Sequence, residues 1–212
     1  MPTSKRWKNL QQEIETLRQH FLPQPFDPLG NYPFPDRVQA HTRGFLVLCH
    51  AEIETYLEEW AKEIALKSRQ VWTSAGRVTT PFAFLLVTQD ERLKIPVTLL
   101  STAAKDTPQQ LSDASVRVFN EFFRQINNNH GIKEKNLLAL FAPLGLTAIA
   151  LGSSLPPRLD YLGDLRGTHA HHSARAVVSV LDPETEYNRV RDVLTDLKPL
   201  DEWLINYKRR VR

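Results

Sequence analysis

The stretch LDYLGDLRGTHAHHS, residues 159–173, places one arginine close to three histidines. Asp164 and Arg166 are followed there by three of the chain's seven histidines, which are His169, His171 and His172. A histidine can take up and return a proton near neutral pH, because its pKa lies close to the working pH. An arginine supplies a permanent cation and a planar fork of donors that fits a phosphate. The combination suits proton transfer beside a phosphate group.

Cleavage of RNA through its own 2′-hydroxyl group needs these two functions. A base removes the proton of the hydroxyl, and a cation stabilises the charge that gathers on the phosphate oxygens. The nucleophile belongs to the substrate, so this reaction needs no metal ion and no other cofactor. A polar helix end, with histidines that are solvated or bonded to carboxylates, would contain the same residue types.

A zinc site is the other chemical alternative for this cluster. The imidazoles of the three histidines could join the Asp164 carboxylate around the metal. In a helix, residues three or four apart share a face, and among the histidines only His169 and His172 have that spacing. The single cysteine, Cys49, lies elsewhere in the chain. We therefore expect no metal.

The spacing of Arg166 and His171 limits how one helix can use both. Each residue of an α-helix turns the chain by about 100°, so side chains five positions apart point about 140° away from each other. Convergence on one phosphate therefore needs a distorted helix, a helix that ends nearby, or a second chain that completes the site. Gly167 makes a local distortion less costly.

Helical periodicity dominates the rest of the chain, with apolar residues recurring every three or four positions. The predicted helices span residues 4–21, 37–68, 113–127, 133–142 and 155–172, and a last one begins at Pro183. We expect an irregular middle from 81 to 101, in which KIPVTLLS (94–101) has the alternation of a short strand. The sequence predicts an all-α bundle with long core helices.

The chain is expected to divide at residue 36. Residues 1–36 would be an N-terminal helix and the connector LPQPFDPLGNYPFPD, whose prolines favour an extended path and whose Phe26 and Phe34 would pack on the core. Residues 37–212 would form the main helical domain.

Composition and charge favour a soluble protein of the reducing cytoplasm. The chain begins without the apolar stretch of a signal peptide, and it has one cysteine. Residues 136–157 carry no charge, but Pro143, Gly145 and Gly152 interrupt them, which indicates two short buried segments rather than a membrane span. A net charge of +3 permits, but does not require, binding to a polyanion.

Three segments resemble the HEPN superfamily, and most of all its RiboL-PSP-like bacterial members. The superfamily's signature is an arginine followed after four to six residues by a histidine, and RGTHAH (166–171) matches the four-residue form. LDYLGDLRGTHAHHS is similar to the signature helix, HAEIETYLEEW (50–60) to the first core helix, and NNNHGIKEKNLLALFAPLG (127–145) to the connecting region. The order of these segments makes the short motif specific. The resemblance covers about residues 37–208.

The resemblance implies a helical homodimer with both motifs at a shared cleft. It also implies a metal-independent endoribonuclease that acts on RNA. Such enzymes often belong to toxin–antitoxin systems, where the partner is an antitoxin, to phage-defence systems or to RNA processing. Arg166 and His171 are the catalytic residues by motif match, the first as phosphate clamp and the second as general base or acid. His169, His172 and Asp164 would support them. The alternative is a non-catalytic HEPN domain that binds RNA, a nucleotide or a protein partner.

The chain departs from the family pattern at two positions. Gly167 follows Arg166 where many active members have Asn, Asp or His. Ser173 stands where members paired with a nucleotidyltransferase antitoxin have Tyr, which argues against that pairing. On the long central helix, His50 and Glu54 are four residues apart and share a face. His50 and Glu54 could form part of the cleft wall beside the motif. Alternatively, His50 is a packed core histidine that is bonded to a local partner.

Overall fold

The computed structural model describes residues 3–89, 107–146, 152–171 and 180–212 of the chain, without the side chains of 107–108 and 168–171. The described residues form α-helices and one short 3₁₀ helix, and they contain no β-strand. The helices are α1 (Lys5–Phe21), α2 (Pro35–Ala75), α3 (Thr80–Gln89), α4 (Thr107–Asn127), α5 (Glu134–Phe141), the 3₁₀ helix Ala142–Leu144, α6 (Leu155–His171) and α7 (Pro183–Arg210). The predicted all-α class is confirmed.

The described residues fall into two compact units. The first unit lies within Met1–Leu57, His130–Asn136 and Ala148–Ile205, and the second within Glu58–Asn129, Leu137–Thr147 and Asn206–Arg212. Helices α2 and α7 contribute residues to both units. The division at residue 36 that the sequence suggested stays a prediction.

Helix α1 begins and packs as its sequence indicates. The Ser4 hydroxyl accepts a hydrogen bond from the backbone N–H of Trp7 at 2.9 Å, which caps the first turn. Trp7, Leu10 and Ile14 are spaced by three and four residues, and all three are buried. Their burial removes one face of the helix from water, which drives α1 onto the first unit.

A buried carboxylate ties α1 to two other helices of the first unit. Asp201 of α7 is fully buried. It accepts hydrogen bonds from the Ser4 backbone N–H at 2.8 Å, the Ser4 hydroxyl at 2.6 Å and the Tyr56 hydroxyl at 2.9 Å. Three donors offset the cost of removing this carboxylate from water. The start of α1 is thereby held against α2 and α7.

The proline-rich connector packs through one of its two phenylalanines. The Phe26 ring lies 6.1 Å from the ring of Tyr187, and the Arg18 guanidinium lies 5.4 Å from the Phe26 centroid. The expectation for Phe34 is wrong, since its side chain is 69% exposed. The Phe34 carbonyl instead accepts from the Val38 N–H, so Phe34 directly precedes the first turn of α2. Its side chain lies outside the first turn of that helix, facing solvent.

Helix α2 is longer than the predicted 37–68, extending from Pro35 to Ala75. Proline suits a first helical turn, where its missing N–H is not needed. At the other end, Gly76 takes a left-handed φ of +61°, and its N–H donates to the Trp72 carbonyl. The last two turns persist because Val71 is buried beyond the predicted end.

Part of the expected irregular middle is helical. The Thr79 hydroxyl accepts from the Phe82 N–H at 3.4 Å and caps α3. Phe82 is buried, and its ring stacks on that of Phe119 in α4 with centroids 5.3 Å apart. The irregular assignment for 81–89 is therefore wrong, because a tertiary contact within the second unit stabilises the helix. Residues 90–106, including the possible strand at 94–101, lie outside the described residues.

The uncharged stretch begins as a short buried segment that ends in a turn. Leu137, Leu140 and Phe141 of α5 are buried. The 3₁₀ helix then closes at Gly145, whose φ of +84° is left-handed. No helix among the described residues is long and apolar enough to span a membrane.

Candidate active site

Helix α6 carries the sequence motif. Its buried residues include Leu155, Leu159 and Leu162, spaced by four and three residues, which fix one face of the helix to the first unit. The helix continues without interruption from Arg166 to His171. Gly167 lies inside it and does not break it.

The continuous helix sets the relative direction of the two motif residues. At about 100° per residue, Arg166 and His171 leave the axis about 140° apart. The distortion at Gly167 that would bring them together within one chain does not occur in the backbone between them. The helix ends at His171, so two of the alternatives stay open, which are a site formed near this helix end and a site completed by a second chain.

Arg166 is half-buried, and its charge acts on His50 of α2, which belongs to the same unit. His50 is 2% exposed. Burial is the larger cause and the positive charge of Arg166 the smaller, and together they lower the pKa of His50 from 6.5 to about 4. His50 is therefore a neutral imidazole at neutral pH. The fold brings together two candidate residues that are distant in sequence.

Glu54 lies on the same side of α2 as His50, as its spacing predicts. The Glu54 Oε2 atom is 3.7 Å from His50 Nδ1, and both side chains are mostly buried. This distance is too long for a direct hydrogen bond, and a neutral imidazole forms no ion pair. The placement of His50 beside Arg166 agrees with a cleft wall, but the functional roles of His50 and Glu54 stay predictions.

Asp164, which the resemblance places in support of Arg166 and His171, has a basic partner in Lys133. Two residues apart on a helix, Asp164 and Arg166 point in nearly opposite directions. Asp164 is 68% exposed, and its carboxylate accepts from the Lys133 ammonium. Its predicted support of His171 stays a prediction.

Lys133 is a neighbour of the motif helix that the sequence did not predict. One turn before Asp164, Asp160 accepts from the backbone N–H of Glu134 at 2.7 Å. The two aspartates therefore bind the chain at the start of α5. Their spacing of four residues, which puts both on one face, is the signal that could have predicted a basic partner.

Two of the three histidines of the cluster, His169 and His171, belong to the end of α6. The backbone of His169 and His171 belongs to the last turn, whereas their side chains and all of His172 lie outside what the structure describes. In the described part, no group of three or more His, Cys, Asp or Glu side chains could hold a metal ion. The roles predicted for the three histidines stay predictions.

The chemistry available at Arg166 is that of an anion-binding donor. Within the described part of the chain, no carboxylate forms an ion pair with Arg166, and Asp164 is engaged by Lys133. A half-buried guanidinium that keeps its charge binds a phosphate more strongly than one fully in water. Neutral His50 adds no competing cation.

Comparison with known proteins identifies the family. No curated protein and no solved structure matches the chain significantly. The family model described as RiboL-PSP-HEPN matches residues 6–206, which include α2, α6 and the motif. This match confirms the resemblance to the HEPN superfamily and agrees with RNA cleavage or nucleotide binding in general. The chain therefore belongs to the RiboL-PSP-HEPN family.

Proposed function

We propose that the protein is a metal-independent endoribonuclease that cleaves single-stranded RNA through the 2′-hydroxyl group. The observation that carries the proposal is the half-buried Arg166, with which no described carboxylate forms an ion pair, within the Arg-x4-His motif of a RiboL-PSP-HEPN chain. Arg166 clamps the phosphate, and His171 serves as general base or acid.

The proposed reaction is a transfer within the RNA backbone. A histidine removes the proton of the 2′-hydroxyl, and the oxygen forms a bond to the adjacent phosphorus. The bond from phosphorus to the 5′-oxygen breaks, and that oxygen receives a proton from a second imidazole. The products are a 2′,3′-cyclic phosphate and a 5′-hydroxyl end. His169 or His172 supplies the other imidazole.

Arg166 stabilises the charge that develops on the phosphate oxygens in this transition state. His50 and Glu54 form the wall behind it and restrict the positions of its guanidinium. Because His50 stays neutral at neutral pH, it adds no second positive charge beside Arg166. A fixed donor costs less reorganisation during the reaction than a mobile one.

The active form is a homodimer with the site shared between chains. Positions five apart in an unbroken helix lie about 140° apart around its axis, and in the proposed dimer each phosphate meets Arg166 of one chain and His171 of the other. A two-fold dimer uses the same surface on both subunits, which places both motifs near the axis.

A protein partner restrains or directs this activity in the proposed setting. An unrestricted ribonuclease is harmful to its own cell, which fits a toxin with an antitoxin or a phage-defence component. We place the protein in the cytoplasm, where RNA is present and the buried Cys49 stays reduced.

Substitution of the two motif residues tests the proposal. We expect His171→Ala to lower the rate of RNA cleavage by at least ~10²-fold, the usual loss for a positioned acid–base group. Arg166→Ala should cause a comparable loss, while excess EDTA leaves the wild-type rate unchanged. The matched controls His130→Ala and Arg77→Ala remove exposed residues and should keep the wild-type rate.

Two outcomes would contradict the proposal. Loss of cleavage in EDTA with recovery on adding zinc would favour the metal site of Asp164 and the histidines. RNA binding without any cleavage by the pure wild-type protein would favour the non-catalytic alternative.

A further inference from the structure

A cavity of about 330 Å³ lies between α6 and α7 in the first unit. Leu162 is part of its wall and is four residues before Arg166 on α6. Residues four apart on a helix are neighbours on one face, separated by about one turn of 5.4 Å. The cavity therefore begins one helical turn from the proposed phosphate clamp.

The walls of this cavity are apolar. Leu162 and Leu165 line it from α6, and Val193 lines it from α7. Binding sites for small ligands have volumes of roughly 300–1,000 Å³, with apolar walls and a few polar groups that fix orientation. The cavity lies at the lower end of this range, so it fits one planar ring system rather than a large ligand.

An aromatic and an arginine form a stacking surface at the rim. The Arg189 guanidinium lies 4.8 Å from the ring centroid of Tyr161, and it donates to the Tyr161 hydroxyl at 2.8 Å. The buried Glu186 accepts from the same guanidinium at 2.6 Å and fixes it. Tyr161 remains 46% exposed. Aromatic rings and guanidinium planes are the surfaces on which unpaired RNA bases stack.

The charges at the rim favour a neutral base over a second phosphate. Arg158 binds Asp192 at 2.7 Å and approaches Asp196 at 3.1 Å, while Arg189 binds Glu186. These carboxylates offset the charge of both arginines, so an anion gains little here. Carboxylate acceptors beside guanidinium donors instead match the mixed donors and acceptors on a base edge.

We propose that this cavity binds one nucleobase of the RNA, next to the phosphate held by Arg166, and sets a base preference. This inference rests on the proposed function. Tyr161 supplies the stacking surface, Leu162, Leu165 and Val193 exclude water, and Asp192 with Arg158 reads the base edge. A base and its neighbouring phosphate can occupy the cavity and the clamp together because one helical turn separates them.

Nucleotide binding tests the cavity independently of catalysis. The four ribonucleoside 5′-monophosphates are titrated into the wild-type protein and into Tyr161→Ala and Tyr161→Phe. We expect at least one nucleotide to bind, and Tyr161→Ala to weaken it by about tenfold, as loss of a stacked base contact usually does. Tyr161→Phe keeps the ring and should bind within about threefold of wild type. Absence of binding by all four, or equal binding by Tyr161→Ala, would overturn the proposal.

Cleavage mapping provides the second measurement. On single-stranded RNA of random sequence, the wild-type protein should prefer one base beside the cut. Tyr161→Ala and the cavity-filling Leu165→Trp should weaken that preference, whereas Arg166→Ala should lose cleavage at every base. A preference that persists in both cavity variants, or equal cutting at all bases by wild type, would refute base binding in the cavity. Neither result would contradict the proposed ribonuclease activity. If no RNA is cut, the proposed function fails and the nucleotide titration decides the cavity.

Discussion

At the scale of single residues, the charge of Arg166 helps to keep His50 neutral. The pKa of His50 is lowered to about 4, first by burial and second by Arg166. At neutral pH, protonating His50 would place a second cation beside Arg166 in a dehydrated wall. The neutral imidazole therefore leaves the charge of Arg166 available to a phosphate.

We expect Arg166→Gln to raise the pKa of His50 above about 4, because one of the two causes of its depression is removed. Burial remains, so the pKa should stay below the ordinary 6.5 of histidine. NMR titration of the His50 ring signals measures this change. Arg158→Gln is the matched control. It removes an arginine of the same helix, and this arginine is not among the causes of the His50 pKa shift. Identical His50 titrations in wild type and Arg166→Gln would show that the two residues are not neighbours.

At the scale of helices, buried polar contacts fix elements that apolar periodicity places only approximately. Asp201 holds the start of α1 against α2 and α7 through two bonds from Ser4 and one from Tyr56. Loss of a buried charged acceptor leaves its donors without a partner, and that costs more than the bonds themselves contribute.

We expect Asp201→Ala to lower the free energy of unfolding by about 3 kcal/mol, the range for breaking a buried charged hydrogen-bond group. Urea unfolding monitored by circular dichroism measures the loss. Asp113→Ala is the matched control, because Asp113 is an exposed helical aspartate with one hydrogen bond from Gln109. Its cost should be below about 1 kcal/mol. Equal destabilisation by the two substitutions would mean that the Asp201 network does not hold α1.

The helices that periodicity predicts well are those whose own apolar stripe packs on the core. The Trp7–Leu10–Ile14 stripe of α1 is of this kind. Helix α3 was not predicted, because its stability depends on the stacking of Phe82 on Phe119, a partner distant in sequence. The start of α2 at Pro35 is marked by a local signal, proline in a first turn, that periodicity ignores.

The candidate site likewise has one part that the sequence predicts and one part that only the tertiary structure reveals. The motif itself, from Arg166 to His171, is visible as spacing on one helix. The neighbours of Arg166 and Asp164, which are His50 and Lys133, follow from tertiary packing that spacing does not encode. The stacking surface of Tyr161 and Arg189 is invisible in the sequence for the same reason.

At the scale of the whole molecule, the shared site makes a mixed dimer informative. We expect a dimer of one Arg166→Ala chain and one His171→Ala chain to keep about half of the wild-type activity, since one of its two sites contains both native residues. Both mutant homodimers should be inactive. The mixed dimer is isolated through two different affinity tags and assayed on RNA.

The alternative geometry gives a different result in that assay. If Arg166 and His171 of one chain form a site, every site in the mixed dimer lacks one residue, and the activity should be as low as in the mutant homodimers. Full activity of a wild-type monomer, with its mass determined by light scattering, would likewise contradict a shared site.

The most direct test of the 2′-hydroxyl mechanism uses one RNA oligonucleotide with a single mapped cleavage position. In a second copy, the nucleotide on the 5′ side of the cut carries 2′-deoxyribose, while every other nucleotide is unchanged. We predict that the wild-type protein leaves a 2′,3′-cyclic phosphate on the first oligonucleotide and does not cut the second at that bond, because the nucleophile is absent. Cleavage of both at similar rates would contradict the mechanism.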